Sequence, residues 1–274
     1  MEMLRYSVLM SVYHKEKPEY LIEAIESMLK QTIPPEQFVI VEDGPLTDEL
    51  NDVIDKYKNE EKELFTIIKL KENRGLGVAL DEGINACRNE LIARMDSDDI
   101  SIPERCEKQL ELFRNYEELD ILSGTIAEFK YSIENVISLR KVPDNMELIK
   151  KQMRRRSAFN HPAVMYKKSS VLKYGGYGSS ARKEDHDLFS RMIFGGCKAH
   201  NLSEVILYYR LNIDNIRRRK SWKNVKSYIE IMWINLKRGY CDWKDFFWVV
   251  TAQFLYLILP IKLLEKIIFK YCRE

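Results

Sequence analysis

The sequence predicts an α/β fold built on a mostly parallel sheet flanked by helices. Two observations carry that expectation. Short apolar runs alternate with helical stretches at the spacing of βαβ units. Three of the first four apolar runs also stop abruptly at polar loops. The 274 residues are 45% hydrophobic, which is enough to bury a substantial core.

The elements follow in order. YSVLMSV (Tyr6–Val12) reads as a buried strand. Pro18 to Gln31 places Leu21, Ile22, Ile25, Met28 and Leu29 at helical spacing, with Pro18 in the first turn. FVIVEDG (Phe38–Gly44) is a second strand, Thr47 to Tyr57 a helix and FTIIKL (Phe65–Leu70) a third strand. Gly77 to Cys87 is helical, and ELIARMD (Glu90–Asp96) is the fourth strand. A helix is expected from Pro103 to Asn115, a strand over Ile121–Ile126 and a hairpin over Glu128–Lys141. Met146–Arg155 reads as a basic helix and HPAVMY (His161–Tyr166) as a strand. Tyr174-Gly175-Gly176-Tyr177-Gly178 is a loop, Glu184–Phe194 a helix and Val205–Tyr209 a strand.

In open parallel sheets, ligands gather at the carboxyl ends of the strands. The loops there are Tyr13-His14-Lys15, Glu42-Asp43-Gly44 and Asp96-Ser97-Asp98-Asp99. That is the layout of a nucleotide site. No Gly-x-Gly-x-x-Gly follows the first strand and no Gly-Lys-Ser/Thr phosphate loop occurs, which argues against a Rossmann dehydrogenase or a P-loop NTPase. Two carboxylates one residue apart can share Mg²⁺ or Mn²⁺, and a diphosphate would complete the shell. The structural alternative is a cap: Asp99 or Ser101 at the helix beginning near Pro103, with Ser101 the favoured one. Further on, ARKEDHDLFSRMI (Ala181–Ile193) puts Glu184, Asp185 and Asp187 at a helix start, where carboxylates also favour the helix dipole.

Charge divides the chain. Arg217 to Glu274 carries thirteen Lys/Arg against five Asp/Glu, and all four tryptophans lie there. FFWVVTAQFLYLILPI (Phe246–Ile261) is sixteen residues long and contains Pro260. That falls short of the ~20 residues needed to span a bilayer. Lys262, Lys266 and Lys270 then recur on one face. Tryptophans, a short apolar stretch and lysines suggest a helix lying in the membrane interface. The alternatives are packing on the body or on a second copy, which would make a homo-oligomer. Basic residues beside an apolar tail, rather than on a groove face, argue against a nucleic-acid partner. Five scattered cysteines without Cys-x-x-Cys spacing fit reduced thiols. MEMLRYSVLMSVY lacks a secretion signal, so the expected location is cytoplasmic, peripheral on the inner face of the membrane.

YSVLMSVYHKEKPEYLIEAIESMLKQT, VIVEDG, NRGLGVALDEGINACRNELIARMDSDD and Lys-Glu-Asp-His-Asp-Leu, in that order from Tyr6 to Arg210, resemble inverting family 2 glycosyltransferases of the GT-A fold. They are most similar to bacterial exopolysaccharide and O-antigen transferases of the amylovoran type. The resemblance implies a UDP-sugar donor, Mn²⁺ or Mg²⁺, and transfer of a hexose to a hydroxyl of a lipid-linked oligosaccharide, with galactose the best guess. It implies a catalytic domain over 1–215, a nucleotide-sugar half (1–100) and an acceptor half (101–215), followed by a helical tail over 216–274. On the donor side it implies Ser11, Val12 and Tyr13 framing the base, Glu42 and Asp43 at the uracil, Arg74 beside the nucleotide, Asp96 and Ser97 at the uridine and Asp98 on the metal. On the acceptor side it implies Asp185 as base, with Glu184, Gly175, Gly176 and His161 nearby. Relatives place a histidine after the last strand. Here Leu211 and Asn212 follow, leaving Arg210 or Arg217-Arg218-Arg219 for the diphosphate. A sugar nucleotidyltransferase would need a glycine-rich basic loop after the first strand, which SVYHKEKPEYL lacks. A non-catalytic nucleotide-sugar-binding partner would have lost Asp98 or Asp185, and both are present.

Overall fold

The computed structural model describes residues 4–178, 183–211 and 220–259. Strands β1 (Tyr6–Val12), β2 (Gln37–Glu42), β3 (Phe65–Lys69) and β4 (Leu91–Asp96) pair in parallel in the order β3-β2-β1-β4. The crossovers between them are α1 (Pro18–Leu29), α2 (Asp48–Glu60) and α3 (Leu76–Ala86). The strands read as continuous apolar runs because both faces are covered. Val8, Met10, Phe38, Ile40, Ala93 and Met95 pack under α1 and α2 on one face. Leu9, Val39, Val41 and Ile92 pack on the other with Leu80 and Ile84 of α3 and with Leu188, Phe189 and Met192.

Beyond β4 the sheet becomes mixed, so it is not mostly parallel as a whole. Strand β8 (Met165–Lys167) enters between β4 and β6 (Leu119–Phe129), antiparallel to both. β6 runs parallel to the long β9 (Lys198–Arg210). β5 (Ile100–Ser101) is antiparallel on β9, and β7 (Val136–Arg140) is antiparallel on β6. His161–Tyr166 is not one strand. His161–Ala163 forms a 3₁₀ turn, because Pro162 has no N–H for a sheet ladder, and pairing starts only at Met165. Ser101 does not cap a helix. It lies in β5, its Oγ accepts from Gln31, and α4 (Arg105–Asn115) begins at Glu104 without a side-chain cap.

Four helices complete the body and tail after α5 (Met146–Met153): α6 (Lys168–Lys173), α7 (Glu184–Phe194), α8 (Trp222–Lys237) and α9 (Trp243–Ile258). The last two pack around Met232, Cys241 and Val249. α8 is tied to α7 through Asn235 Nδ2 to Ser190 Oγ at 3.2 Å and Arg238 to Asp187 at 2.6 Å. α9 starts with a capping box between Asp242 and Asp245, and the buried Asp245 carboxylate also holds Arg154 and Arg155, at 2.6 Å each. Its other side leaves Trp243, Phe247 and Trp248 between 54% and 59% exposed. Among the described residues, no helix is long and apolar enough to cross a membrane. Pro260, Lys262, Lys266, Lys270 and Arg217-Arg218-Arg219 lie outside the described residues.

Candidate active site

Pairing register brings the strand ends level. Ser11 stands opposite Val41 on one side and Asp96 on the other, and Val12 stands opposite Glu42. The backbone N–H of Asp43 donates to Val12 O at 2.8 Å, which locks the first two loops together. The buried Asp43 carboxylate accepts from the backbone of Arg74 at 2.7 Å and of Gly75 at 3.1 Å. Gly44 makes this approach possible: at φ +86°, a Cβ there would lie 2.6 Å from Asn73 N. Asp43 therefore braces the Asn73-Arg74-Gly75 loop. A carboxylate has about four lone-pair positions, so room remains on it for a ligand N–H. Glu42 is buried and paired with Lys69 at 2.9 Å, while the Arg74 side chain is exposed, 3.6 Å from Glu82.

The third loop gathers three carboxylates. Oxygens of Asp96, Asp98 and Asp99 lie within 4.8 Å of one another. Burial, then the charges of Asp96 and Glu16, push the Asp98 carboxyl up to about 7. Burial, then the charges of Asp98 and Asp96, raise Asp99 as well. Asp99 Oδ1 accepts from the Arg210 backbone at 2.9 Å, and its buried Oδ2 has no partner. Crowded oxygens, a raised carboxyl and an orphaned buried acceptor are what a hard divalent cation would relieve, so this donor set fits Mn²⁺ or Mg²⁺. Ser97 Oγ donates to Glu16 at 2.6 Å. Arg210 lies behind the loop. Its Nε donates to Asp98 O at 2.8 Å, its Nη2 pairs with Glu23, and its guanidinium stacks 4.0 Å from the Tyr20 ring centroid and 4.6 Å from that of Phe129. It thus supports the carboxylate loop from beneath, and its charge lowers Asp98 against the stronger upward effects.

The second carboxylate pair opens α7, and Arg94, which pairs with Asp96, also acts on Glu184. Burial alone would raise Asp185, but His161, Lys183, His186 and the His186 backbone N–H outweigh it, and the carboxyl is lowered. Glu184 goes the other way, up to about 7, through burial and its neighbour Asp185. Adjacent residues are thus set for opposite protonation states, the pattern that separates a base from a proton holder. His161 Nε2 lies 2.9 Å from Tyr177 Oη; burial and the nearby Arg94 push its imidazole down, against the opposite pull of Asp185.

Gly175 and Gly176 do form a tight turn, at φ +80° and +66°. Asp81 of α3 holds it, accepting from Tyr177 N at 2.7 Å and Gly178 N at 2.8 Å. A Cβ on Gly77 would sit 2.6 Å from Gly178 O and 3.3 Å from Glu184 Cβ. One helix, α3, therefore meets the Asp43 brace at its cap Gly75, the Glu184 side at Gly77 and the glycine turn one turn further on at Asp81. The sequence alone does not single out Asp81, Glu16 or Arg94. Asp81 had a readable signal, a lone carboxylate on an otherwise apolar helix face.

Residues 7–175 match the family described as Glycosyl transferase family 2, and the chain belongs to it. The UDP-Gal:alpha-D-GlcNAc-diphosphoundecaprenol beta-1,3-galactosyltransferase of Escherichia coli is 34% identical over 259 residues, covering 93% of this chain and 92% of its own length. The amylovoran biosynthesis glycosyltransferase AmsE of Erwinia amylovora is 32% identical over 263 residues, covering 95% and 96%. The mannosyltransferase PcManGT of Pyrobaculum calidifontis, solved with GDP-Man and Mn²⁺, superimposes with a TM-score of 0.66 at 12% identity, over 92% of this chain and 69% of that one. The fold is therefore of the GT-A type, a mixed sheet flanked by helices.

Proposed function

We propose that this chain is an inverting, metal-dependent glycosyltransferase that moves a hexose from a UDP-sugar to a hydroxyl of a lipid-linked oligosaccharide in surface polysaccharide synthesis. Galactose is the first donor to test, since the Escherichia coli relative is named for UDP-Gal and a diphosphoundecaprenol acceptor. One observation carries the reading: strand-end carboxylates Asp43, Asp96, Asp98 and Asp99 gather at one sheet edge, and buried Arg94, paired with Asp96, also acts on Glu184 of the oppositely shifted pair Glu184 and Asp185.

In this reading Ser11, Val12, Tyr13, Glu42, Asp43 and the loop of Arg74 hold the uridine, with Asp96 and Ser97 at its ribose. Asp98, with oxygens of Asp96 and Asp99, would hold Mn²⁺ or Mg²⁺, which would supply neutralising charge for the diphosphate. Ionised Asp185 takes the proton of the acceptor hydroxyl as that oxygen attacks the anomeric carbon. UDP leaves from the opposite face, and the configuration inverts. General-base assistance of this kind is worth typically ~10²–10⁴-fold. His161 and the Gly175-Gly176 turn shape the acceptor side.

The tail fits a lipid-linked acceptor. Exposed Trp243, Phe247 and Trp248 stand on a helix whose root is bound to the body by Arg154 and Arg155, and α8 packs against the helix that bears Asp185. Aromatic rings with lysines beside them suit the headgroup region of a cytoplasmic membrane face. The test is an extension assay with UDP-galactose and other UDP-sugars on a polyprenyl-diphosphate saccharide, followed by NMR of the new linkage. An α-linked donor should give a β-linked product; an α-linked product would refute the single-displacement scheme.

A further inference from the structure

The donor site leaves one buried cation unaccounted for. Arg94 lies two residues before Asp96 on β4, so both side chains leave the strand on the same face. It is 1% exposed. One guanidinium nitrogen pairs with Asp96 Oδ1, whereas Nε and Nη1 have no hydrogen-bond partner. Tyr166 and Tyr177 are fully buried on this same face, in the cluster that contains Ile92. On the backbone side, Arg105 Nη2 donates to Arg94 O at 2.7 Å, which fixes the strand at this point.

A buried guanidinium with two unused donors is a poor way to fill a core, and an apolar side chain of similar length would serve stability better. Its one strong contact is with the carboxylate cluster. The other members of that cluster are already fixed from the far side: Arg210 holds Asp99 through its backbone N–H and the Asp98 carbonyl through Nε. Asp96 has no such support from Arg210. Ligating carboxylates are commonly oriented by a second layer of partners.

We infer that Arg94 is a positioning residue, which fixes Asp96 so that Asp96, Asp98 and Asp99 turn their oxygens together toward the divalent cation of the donor complex. The inference rests on the donor-site reading given above. It adds that the cluster is built by two arginines, and that Arg94 orients it through Asp96, its hydrogen-bonded partner there.

The test uses the full chain with Arg94→Met, Arg94→Lys, Asp96→Asn and the double variant Arg94→Met/Asp96→Asn. Mn²⁺ binding in the presence of UDP is read by the EPR signal of free Mn²⁺, and melting is followed without metal. Arg94→Met should weaken Mn²⁺ about 10–100-fold, the usual cost of losing a second-layer partner. Arg94→Lys should fall between it and the wild type. The metal-free melting temperature of Arg94→Met should be no lower than that of the wild type. The double variant should bind Mn²⁺ no more weakly than Asp96→Asn alone. Wild-type Mn²⁺ affinity in both Arg94 variants, or additive losses in the double variant, would overturn the positioning role while leaving the donor site standing. Failure of the wild type itself to bind Mn²⁺ with UDP would overturn the donor-site reading and this inference with it.

Discussion

Asp98→Asn should stabilise the metal-free protein while abolishing its metal response. The Asp98 carboxyl sits between Asp96 and Glu16, is part-buried, and is displaced from 3.8 to about 7 by burial first and by those charges next. A carboxyl whose folded value is raised keeps its proton in the fold at a pH where the unfolded chain has lost it. Stability from this group is therefore full below about pH 4, declines as pH rises toward 7, and is gone above that. Each pH unit is worth about 1.4 kcal/mol, which sets a ceiling of about 4 kcal/mol. Sharing of the effect with Asp96 and screening by solvent bring the expected cost to about 2 kcal/mol. Asparagine removes the charge and with it the cost. At pH 8 in EDTA, Asp98→Asn should exceed the wild type by about 2 kcal/mol in urea unfolding, or about 5 °C in melting temperature. At pH 4 the two should coincide. Mn²⁺ with UDP should then raise the wild type alone. An equal difference at both pH values, or a less stable variant at pH 8, would refute the electrostatic description of the cluster.

Three other expectations follow. Asp185→Asn should lower kcat ~10²–10⁴-fold with the donor KM unchanged, whereas Glu184→Gln should cost less than tenfold. Because Asp185 is lowered, it stays ionised through neutral pH, and the acid limb of the rate profile should fall below the ordinary carboxylate range. Gly176→Ala must place a Cβ 2.4 Å from Asp81 Oδ1 at φ +66°, so it should cost about 1–3 kcal/mol in thermal unfolding, and an Asp81→Ala background should remove the clash but leave the backbone strain, so that the cost shrinks without vanishing. The triple change Trp243→Ser, Phe247→Ser, Trp248→Ser should abolish sedimentation with anionic vesicles and leave the melting temperature within a few degrees, since these rings are more than half exposed. Unchanged sedimentation would contradict membrane attachment through α9.

The first half of the sheet was legible because each strand of β1, β2 and β4 is buried on both faces and so appears as an unbroken apolar run ending in polar residues. Their order and carboxyl-edge loops followed from that pattern, and pairing register confirms that the loops are neighbours. The second half was less legible. β5 is two residues long and α6 six, too short for periodicity to register. β9 runs thirteen residues with shifts in its pairing to β6, which hid its first part from an alternation test. His161–Tyr166 looked like a strand because its side chains are apolar, but the backbone of Pro162 decides otherwise. Of the candidate site, the carboxylates were visible as clusters. Their supports were not. Arg94 reads as an interruption in an apolar strand, and Asp81 and Arg210 act across 96 and 111 positions of sequence separation. Asp43 reads from the sequence as a ligand contact; its two hydrogen bonds to the Arg74-Gly75 backbone are visible only in three dimensions.

The most direct measurement is UDP release by the purified protein from a panel of UDP-sugars, with and without Mn²⁺, alongside Asp98→Ala and Asp185→Ala. Slow metal-dependent release from one donor, lost in Asp98→Ala and strongly reduced in Asp185→Ala, is the expected result and would identify the sugar. No turnover and no nucleotide-sugar binding with any metal would contradict a donor site at the ends of β1, β2 and β4.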